Sequence, residues 1–224
     1  MIGQSQFRAI LYASAIVSAL LLLLTWVALP ASAPTTGEGT DAVGQSLQIV
    51  YKAFSTLISV ATLAFVGFDK LAWRWPLVRF LTKATPDLQG TWKGEIISTW
   101  IDPGTNEAPA PIEAYLVARQ TWSTLSLRLY TKESQSKLLT GGFIPDPDST
   151  CTVSGIYQNE PVLLRRDVSP IHYGAILLQV CGTGPLSLTG HYWTDRKTTG
   201  QLRFSAKSGT MHFSFESASK EVYQ

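Results

Sequence analysis

The sequence predicts a membrane-anchored all-β protein: two N-terminal transmembrane helices followed by a small antiparallel up-and-down β-barrel of about eight strands. Three observations carry this. Residues 10–29 and 47–68 form long apolar runs. Lys70, Arg74, Arg79 and Lys83 crowd the exit of the second run. From Thr85 onward the hydrophobic period changes from helical to twofold, with turn residues at short intervals.

The first run, ILYASAIVSALLLLLTWVAL, has 20 residues without a charge. At 1.5 Å rise per residue it matches the ~30 Å hydrocarbon core of a bilayer. A rival reading is a cleaved signal peptide, since Arg8 precedes the run and Ala31-Ser32-Ala33 follows it. Residues 30–46 lack Lys and Arg and are rich in Pro, Gly, Ser and Thr, which suits a short external loop. The second run is interrupted near its start by Gln48 and Lys52, and residues 53–68 carry no charge. Lys52 is close enough to the end to lift its ammonium to the interface. Trp73 and Trp75 follow at headgroup depth, and the basic cluster marks the cytoplasmic side. The N-terminus and the barrel are therefore expected in the cytosol, on either reading of the first run. Small residues recur at helical spacing (Ser14 and Ser18, Ala15 and Ala19, Ser55 and Ser59). Such faces let helix backbones approach closely in lipid and self-associate, or reflect ordinary span composition.

Two domains follow: residues 1–83 as membrane region and connector, and residues 84–224 as the soluble barrel. Residues 1–83 hold six Lys/Arg (Arg8, Lys52, Lys70, Arg74, Arg79, Lys83) against three acids (Glu38, Asp41, Asp69). With 18 basic and 16 acidic residues in all, the remainder carries twelve against thirteen. That near-neutrality excludes a nonspecific DNA or RNA binder, which needs a clustered basic surface. It leaves room for a pocket that reads one small anion. The two cysteines, Cys151 and Cys181, are expected as buried free thiols in a reducing cytosol.

The strands are expected at 88–100, 112–122, 124–131, 136–144, 150–157, 172–181, 187–194 and 200–206, with a ninth at 210–217. Asp102-Pro103-Gly104, Pro145-Asp146-Pro147, Asn159-Glu160-Pro161, 182–185 and Ser208-Gly209 read as turns between them. Such spacing fits a sandwich or a barrel, and tight turns favour the meandering barrel. Alternation places Ile112, Ala114, Leu116, Ala118, Gln120 and Trp122 on one face. His172, Gly174, Ile176, Leu178 and Val180 share another, as do Leu186, Leu188, Gly190, Tyr192 and Thr194. Each face is apolar with polar or aromatic groups at one end. A small barrel with that gradient is a ligand cup.

No catalytic or cofactor motif emerges. His172, His191 and His212 lack metal spacing, and there is no nucleophile elbow, P-loop or dinucleotide fingerprint. No enzyme activity, metal or cofactor is expected. Trp92, flanked by Gly90 and Gly94, is expected to plug the closed end. The candidate ligand residues are expected at the mouth. Trp122 and Tyr157 offer rings for base stacking, and Gln120 offers an amide for a base edge. Ser134 and Ser136 suit turn caps or phosphate contacts, and Tyr192 and Thr194 end an inward face. His172 reads as a core residue or a ligand contact. Arg196 presents a planar fork matched to phosphate, against the alternative of a solvated loop arginine. An alternative function is a membrane-tethered, lipocalin-like barrel binding a small apolar ligand.

The order of Leu88-x-Gly90-x-Trp92-x-Gly94, Gln120-x-Trp122, Ser134-x-Ser136, Tyr157-x-Asn159-x-Pro161, His172-x-Gly174 and Leu188-x-Gly190-x-Tyr192-x-Thr194-x-Arg196-x-x-x-Gly200 resembles a known family. That order, behind two spans, is similar to the two-transmembrane β-strand-rich effectors of bacterial CBASS anti-phage systems. The resemblance implies that the barrel binds a cyclic di- or trinucleotide made by a CD-NTase. It implies further that bound chains form homo-oligomers and disrupt inner-membrane lipid, killing the infected cell. Residues 210–224 lie outside the resemblance.

Overall fold

The computed structural model describes residues 15–23, 40–82, 86–101, 104–145, 151–181 and 186–223. The chain divides into two compact units, Met1–Arg79 and Phe80–Gln224.

In the first unit residues 15–23 are helical (α1) and Thr40–Lys70 forms a second helix (α2). Within α2, Leu47–Lys70 is the one segment among the described residues long and apolar enough to cross a bilayer. The remainder of the expected first span, the Ala31-Ser32-Ala33 site and Arg8 lie outside the described residues. Helix α2 includes Thr40–Ser46, so the last part of the expected loop 30–46 is helical. Thr-Asp is a favourable helix start, which outweighs the Gly-rich composition around it. The small-residue faces are used inside the chain. Ser59 Oγ donates to the Ser18 carbonyl at 2.7 Å, and Ser18 Oγ to Thr62 Oγ1 at 3.4 Å. Ser18, Ser55 and Ser59 are buried, Ser59 to 1% exposure. After α2 come a 3-10 turn, Ala72–Arg74, and a short helix α3, Pro76–Thr82, with Pro at the position where its missing N–H costs nothing.

The second unit is a closed barrel in strict meander order: β1 (Gly90–Ser98), β2 (Ile112–Gln120), β3 (Leu125–Tyr130), β4 (Ser134–Pro145), β5 (Cys151–Pro161), β6 (His172–Cys181), β7 (Ser187–Thr194) and β8 (Thr199–Ser208). Every pair is antiparallel, and β8 returns to β1. Closure removes both sheet edges, so no backbone row is left to template another strand. The sandwich alternative is thereby set aside. The inward residues form one core: Ala114, Leu116, Ala118, Leu127, Val153, Ile176, Leu178, Val180, Leu188, Leu202 and Phe204 with Trp92. Trp92 is fully buried and donates Nε1–H to the Leu88 carbonyl at 2.8 Å, which plugs the end where the chain enters.

Two strand expectations and one about the cysteines are corrected. Strand β5 runs through Asn159-Glu160-Pro161, so the turn lies further on, at residues 162–171. Pro161 is tolerated because it terminates the strand. The ninth strand does not form. Its place is taken by α4, Phe215–Ser219, whose first turn is capped by the Ser214 hydroxyl accepting from Ser217 N–H. With β1 and β8 already paired, residues 210–217 find no free edge, so their alternation has no ladder to join. The expectation of two buried thiols holds for Cys151 alone. Both cysteines are free, but Cys181 is half-buried, because its position on β6 points outward.

The tail clasps the outside of the barrel. Ser208 Oγ donates to Glu221 Oε1 at 2.8 Å, and the His212 ring lies 3.0 Å from Glu221 Oε2. Tyr115 meets Phe215 edge-on at 5.3 Å and stacks with Tyr223 at 5.6 Å. Burial raises the Tyr115 hydroxyl pKa, helped by its hydrogen bond to Glu113. Burial, with Glu221 and Glu113 nearby, pushes Tyr223 up to about 12. A tyrosine whose folded value is raised contributes stability below its unfolded value near ~10 and loses it as pH rises through the folded value. The thermal midpoint should therefore fall between pH 10 and about 12 as Tyr223 ionises. Tyr223→Phe should flatten that loss, as measured by tryptophan fluorescence on heating.

Candidate functional site

Strands of a meander alternate in direction, so the ends of β1, β3, β5 and β7 gather at one rim and those of the even strands at the other. The rim opposite Trp92 opens into a cavity of about 760 Å³. That is the size of a drug-like or nucleotide ligand site. Its floor is apolar, with Leu116, Leu127, Leu138, Ile176, Leu178, Leu202 and Phe204. Polar groups appear only toward the rim: Thr131, Ser134, Ser136, Asn159, His172, Thr194, Arg196 and Thr198.

Seven of the nine predicted site residues line this cavity: Ser134, Ser136, Tyr157, His172, Tyr192, Thr194 and Arg196. Gln120 and Trp122 do not. They end β2, at the plugged end of the barrel, and their expected position at the mouth is corrected. Gln120 is 1% exposed, accepts from Leu88 N–H at 2.8 Å, and donates to the Pro86 carbonyl at 3.0 Å. It pins the entering chain. Trp122 is in the β2–β3 turn, 46% exposed. Alternation identifies which residues share a face, but strand direction decides which end they occupy.

The rim is built from repeated hydroxyl brackets. Across the β3–β4 turn Ser134 N–H donates to Thr131 Oγ1 at 3.0 Å, and the two hydroxyls are 3.0 Å apart. Across the β7–β8 turn Thr198 N–H donates to Thr194 Oγ1 at 3.2 Å, with the hydroxyls 2.6 Å apart. Side-chain oxygens here satisfy turn amides that strand pairing leaves over. Ser136, one inward step along β4, is buried beside the cavity.

Two glycines fix the tyrosines. A Cβ at position 174 would come within 2.5 Å of the Tyr157 hydroxyl, and one at 200 within 2.5 Å of the Tyr192 ring. Each ring therefore occupies the space of a missing side chain on a neighbouring strand. Burial raises the Tyr157 pKa, reinforced by Tyr192 and Asp195, so its hydroxyl stays protonated at neutral pH.

Charge at the rim is mostly compensated. Arg165 pairs with Glu133 at 2.6 Å and Arg166 with Glu160 at 2.7 Å. Arg196 is different: its guanidinium donates to the neutral Ser169 hydroxyl at 2.8 Å. His172 Nδ1 is 3.0 Å from the Pro170 carbonyl. Asn159, not among the expected site residues, donates from Nδ2 to Ser134 Oγ at 3.5 Å, while its buried Oδ1 has no hydrogen-bond partner. Its inward parity with Tyr157 on β5 was the available signal. Among the described residues no group of three His, Cys, Asp or Glu is arranged to hold a metal.

Fold and site define the class: a β-barrel cup, plugged at one end, for a single small ligand at the other. Residues 83–206 match the family described as Cap15, cyclic dinucleotide receptor domain, and the chain belongs to that family. A relative, CD-NTase-associated protein 15 from Staphylococcus schleiferi, is 26% identical over 149 residues, covering 66% of this chain and 76% of that protein. The resemblance to CBASS barrel effectors read from the sequence is borne out at the level of family.

Gln120 separates scaffold from site. Gln120→Ala leaves the buried Leu88 N–H and Pro86 carbonyl without partners and should cost about 1–3 kcal/mol of stability. The thermal midpoint should fall while ligand affinity, measured by calorimetry on the folded protein, stays unchanged.

Proposed function

We propose that this protein is a membrane-anchored receptor, without turnover, for a cyclic oligonucleotide of the CBASS signalling class. The observation that carries this reading is the cup itself, about 760 Å³ of largely apolar space rimmed by hydroxyls and by an arginine whose hydrogen bond goes to a neutral group. Arg196 meets a phosphodiester as a charge-assisted fork. Tyr157 and Tyr192 offer faces for base stacking, worth about 1–3 kcal/mol per base in sequence-tolerant sites. Asn159 Oδ1 accepts from a base amino or imino group. Ser136, Thr194 and His172 complete the polar rim.

In this reading the ligand is supplied by a CD-NTase, and binding favours an assembled state of the chain. A ligand shifts such an equilibrium only by its difference in affinity for the two states, so the rim must differ between single and assembled chains. Assembly gathers membrane helices at the bacterial inner membrane, with N-terminus and barrel in the cytosol, and disrupts the lipid. The supports are family membership, the apolar segment Leu47–Lys70 and the basic residues after it.

Calorimetry of the full-length protein in nanodiscs against a panel of cyclic di- and trinucleotides tests this. At least one should bind below ~100 μM, about −5.5 kcal/mol; a panel without any such binder overturns the reading. Arg196→Ala should weaken that binding at least tenfold with an unchanged thermal midpoint. Asn159→Leu should weaken it roughly tenfold, the worth of one good buried hydrogen bond. A reporter fused after Gln224 should be active only in the cytosol.

A further inference from the structure

The charged side chains that line the cup are Glu113, Lys132, Glu133, Arg165 and Arg196. Glu113 projects outward on β2 and pairs with Lys93 at 3.1 Å, so it belongs to the outer wall. The others sit on the rim, where three cations against one anion leave two positive charges in excess. A cyclic dinucleotide carries two phosphodiesters, one negative charge on each. Arg196 accounts for one of them, and the second has no partner yet.

The geometry of the β5–β6 loop supplies a candidate. Arg165 ends the 3-10 turn Leu163–Arg165 of this loop. Its backbone carbonyl accepts from Val168 N–H at 3.2 Å and from Ser169 N–H at 2.7 Å, so residues 165–169 wind into a single turn. At one end of that turn the Arg165 guanidinium reaches Glu133, in the β3–β4 turn, at 2.6 Å. At the other end the Ser169 hydroxyl accepts at 2.8 Å from Arg196, which comes from the β7–β8 turn. Those two turns are four strands apart in a closed ring of eight, on opposite sides of the mouth. Arg165, Ser169 and Arg196 all line the cavity. The mouth is thus flanked by a guanidinium on each side, as the macrocycle of a cyclic dinucleotide is flanked by a phosphodiester on each edge.

We propose that Arg165 is the second phosphate-binding residue of the cup, exchanging Glu133 for the phosphodiester opposite the one held by Arg196. The inference rests on the receptor reading above and names a further residue of the same site. The neighbouring pair gives the contrast. Arg166 is anchored twice, to Glu160 at 2.7 Å and from Nε to the Pro161 carbonyl at 3.2 Å, and it does not line the cavity. It fixes the base of the loop. Arg165 has Glu133 as its side-chain partner among the described residues, and the two side chains are 55 and 57% exposed. Such an exposed pair is weak, because water screens it and two long side chains must be held still. A phosphodiester beneath the loop offers the guanidinium a matching pair of oxygens. It also brings negative charge against Glu133, which drives the carboxylate away. Lys132, next to Glu133, adds attraction as a flexible point charge without a fixed fork.

The test is calorimetry of the full-length protein in nanodiscs with cyclic di-AMP, cyclic di-GMP and cyclic GMP–AMP, continued with the tightest binder of the three. Arg165→Gln and Glu133→Gln break the same ion pair and should shift the thermal midpoint equally and slightly. Their effects on affinity should be opposite. Arg165→Gln should weaken binding about tenfold, the worth of one charge-assisted hydrogen bond. Glu133→Gln should tighten it about threefold, because the guanidinium is then free before the ligand arrives. Replacing one bridging phosphodiester of the ligand by a neutral methylphosphonate should weaken wild-type binding about tenfold. In Arg165→Gln the isomer whose neutral edge meets the loop should lose nothing further. Lys137→Gln, outward on β4, and Glu160→Gln, in the neighbouring pair, change charge by the same amounts and should leave affinity unchanged. Equal loss of affinity in Arg165→Gln and Glu133→Gln makes the pair a loop anchor and overturns the proposal while the receptor reading stands. Wild-type affinity in either variant also overturns it, as does a further tenfold loss with every methylphosphonate isomer in Arg165→Gln. A wild-type chain that binds none of the three cyclic dinucleotides overturns this assignment, and the receptor reading with it unless a cyclic trinucleotide binds.

Discussion

Pairing of β8 with β1 is the constraint on which the rest depends. Seven hairpin steps bring strands together locally, but this contact joins Thr91 to Ser208, across most of the domain. Its loop-closure entropy is the largest in the barrel, and its reward is the removal of both edges. Once closed, the interior is a single volume with two ends. Trp92, held by Leu88 and backed by Gln120, fills one of them. The other stays open because many of the side chains there are Ser, Thr or Asn and two of the large ones, Tyr157 and Tyr192, lie over glycines.

The polarity gradient along that interior follows from the same geometry. Residues near the plug are surrounded on all sides by other strands and can only be apolar or fully paired. Residues near the rim border solvent, so hydroxyls and amides survive there at low cost. The turn brackets Thr131–Ser134 and Thr194–Thr198 show how the rim is rigidified without strands. A ligand entering such a cup meets fixed groups rather than mobile ones, which lowers the ordering cost of binding. The Asn159 carbonyl oxygen, buried without a partner, is the clearest sign that something polar belongs in the cup.

Much of this was legible in the residues. Twofold alternation located all eight strands to within a few positions, and the glycine-flanked Trp92 was recognisable as the plug. Seven of nine expected site residues do line the cavity. Gln120 and Trp122 were misplaced because inward parity was read without strand direction. In a meander, β2 must end where β1 begins, so both belonged with Trp92. Residues 210–217 alternated like a strand, yet closure left them no edge, and the Ser214 cap turned them into a helix. The small-residue faces were visible, but only packing shows Ser18 and Ser59 joined within one chain.

By itself the sequence determined a helix long and apolar enough to cross a bilayer, the change to β periodicity and the face each strand residue occupies. These depend on spacing along the chain, which is a local property of helix and strand. Tertiary structure decided closure, which end is plugged, and which rim charges are neutralised by Glu133 and Glu160. Those outcomes arise from residues far apart in sequence meeting in register, and register is a property of the closed sheet as a whole.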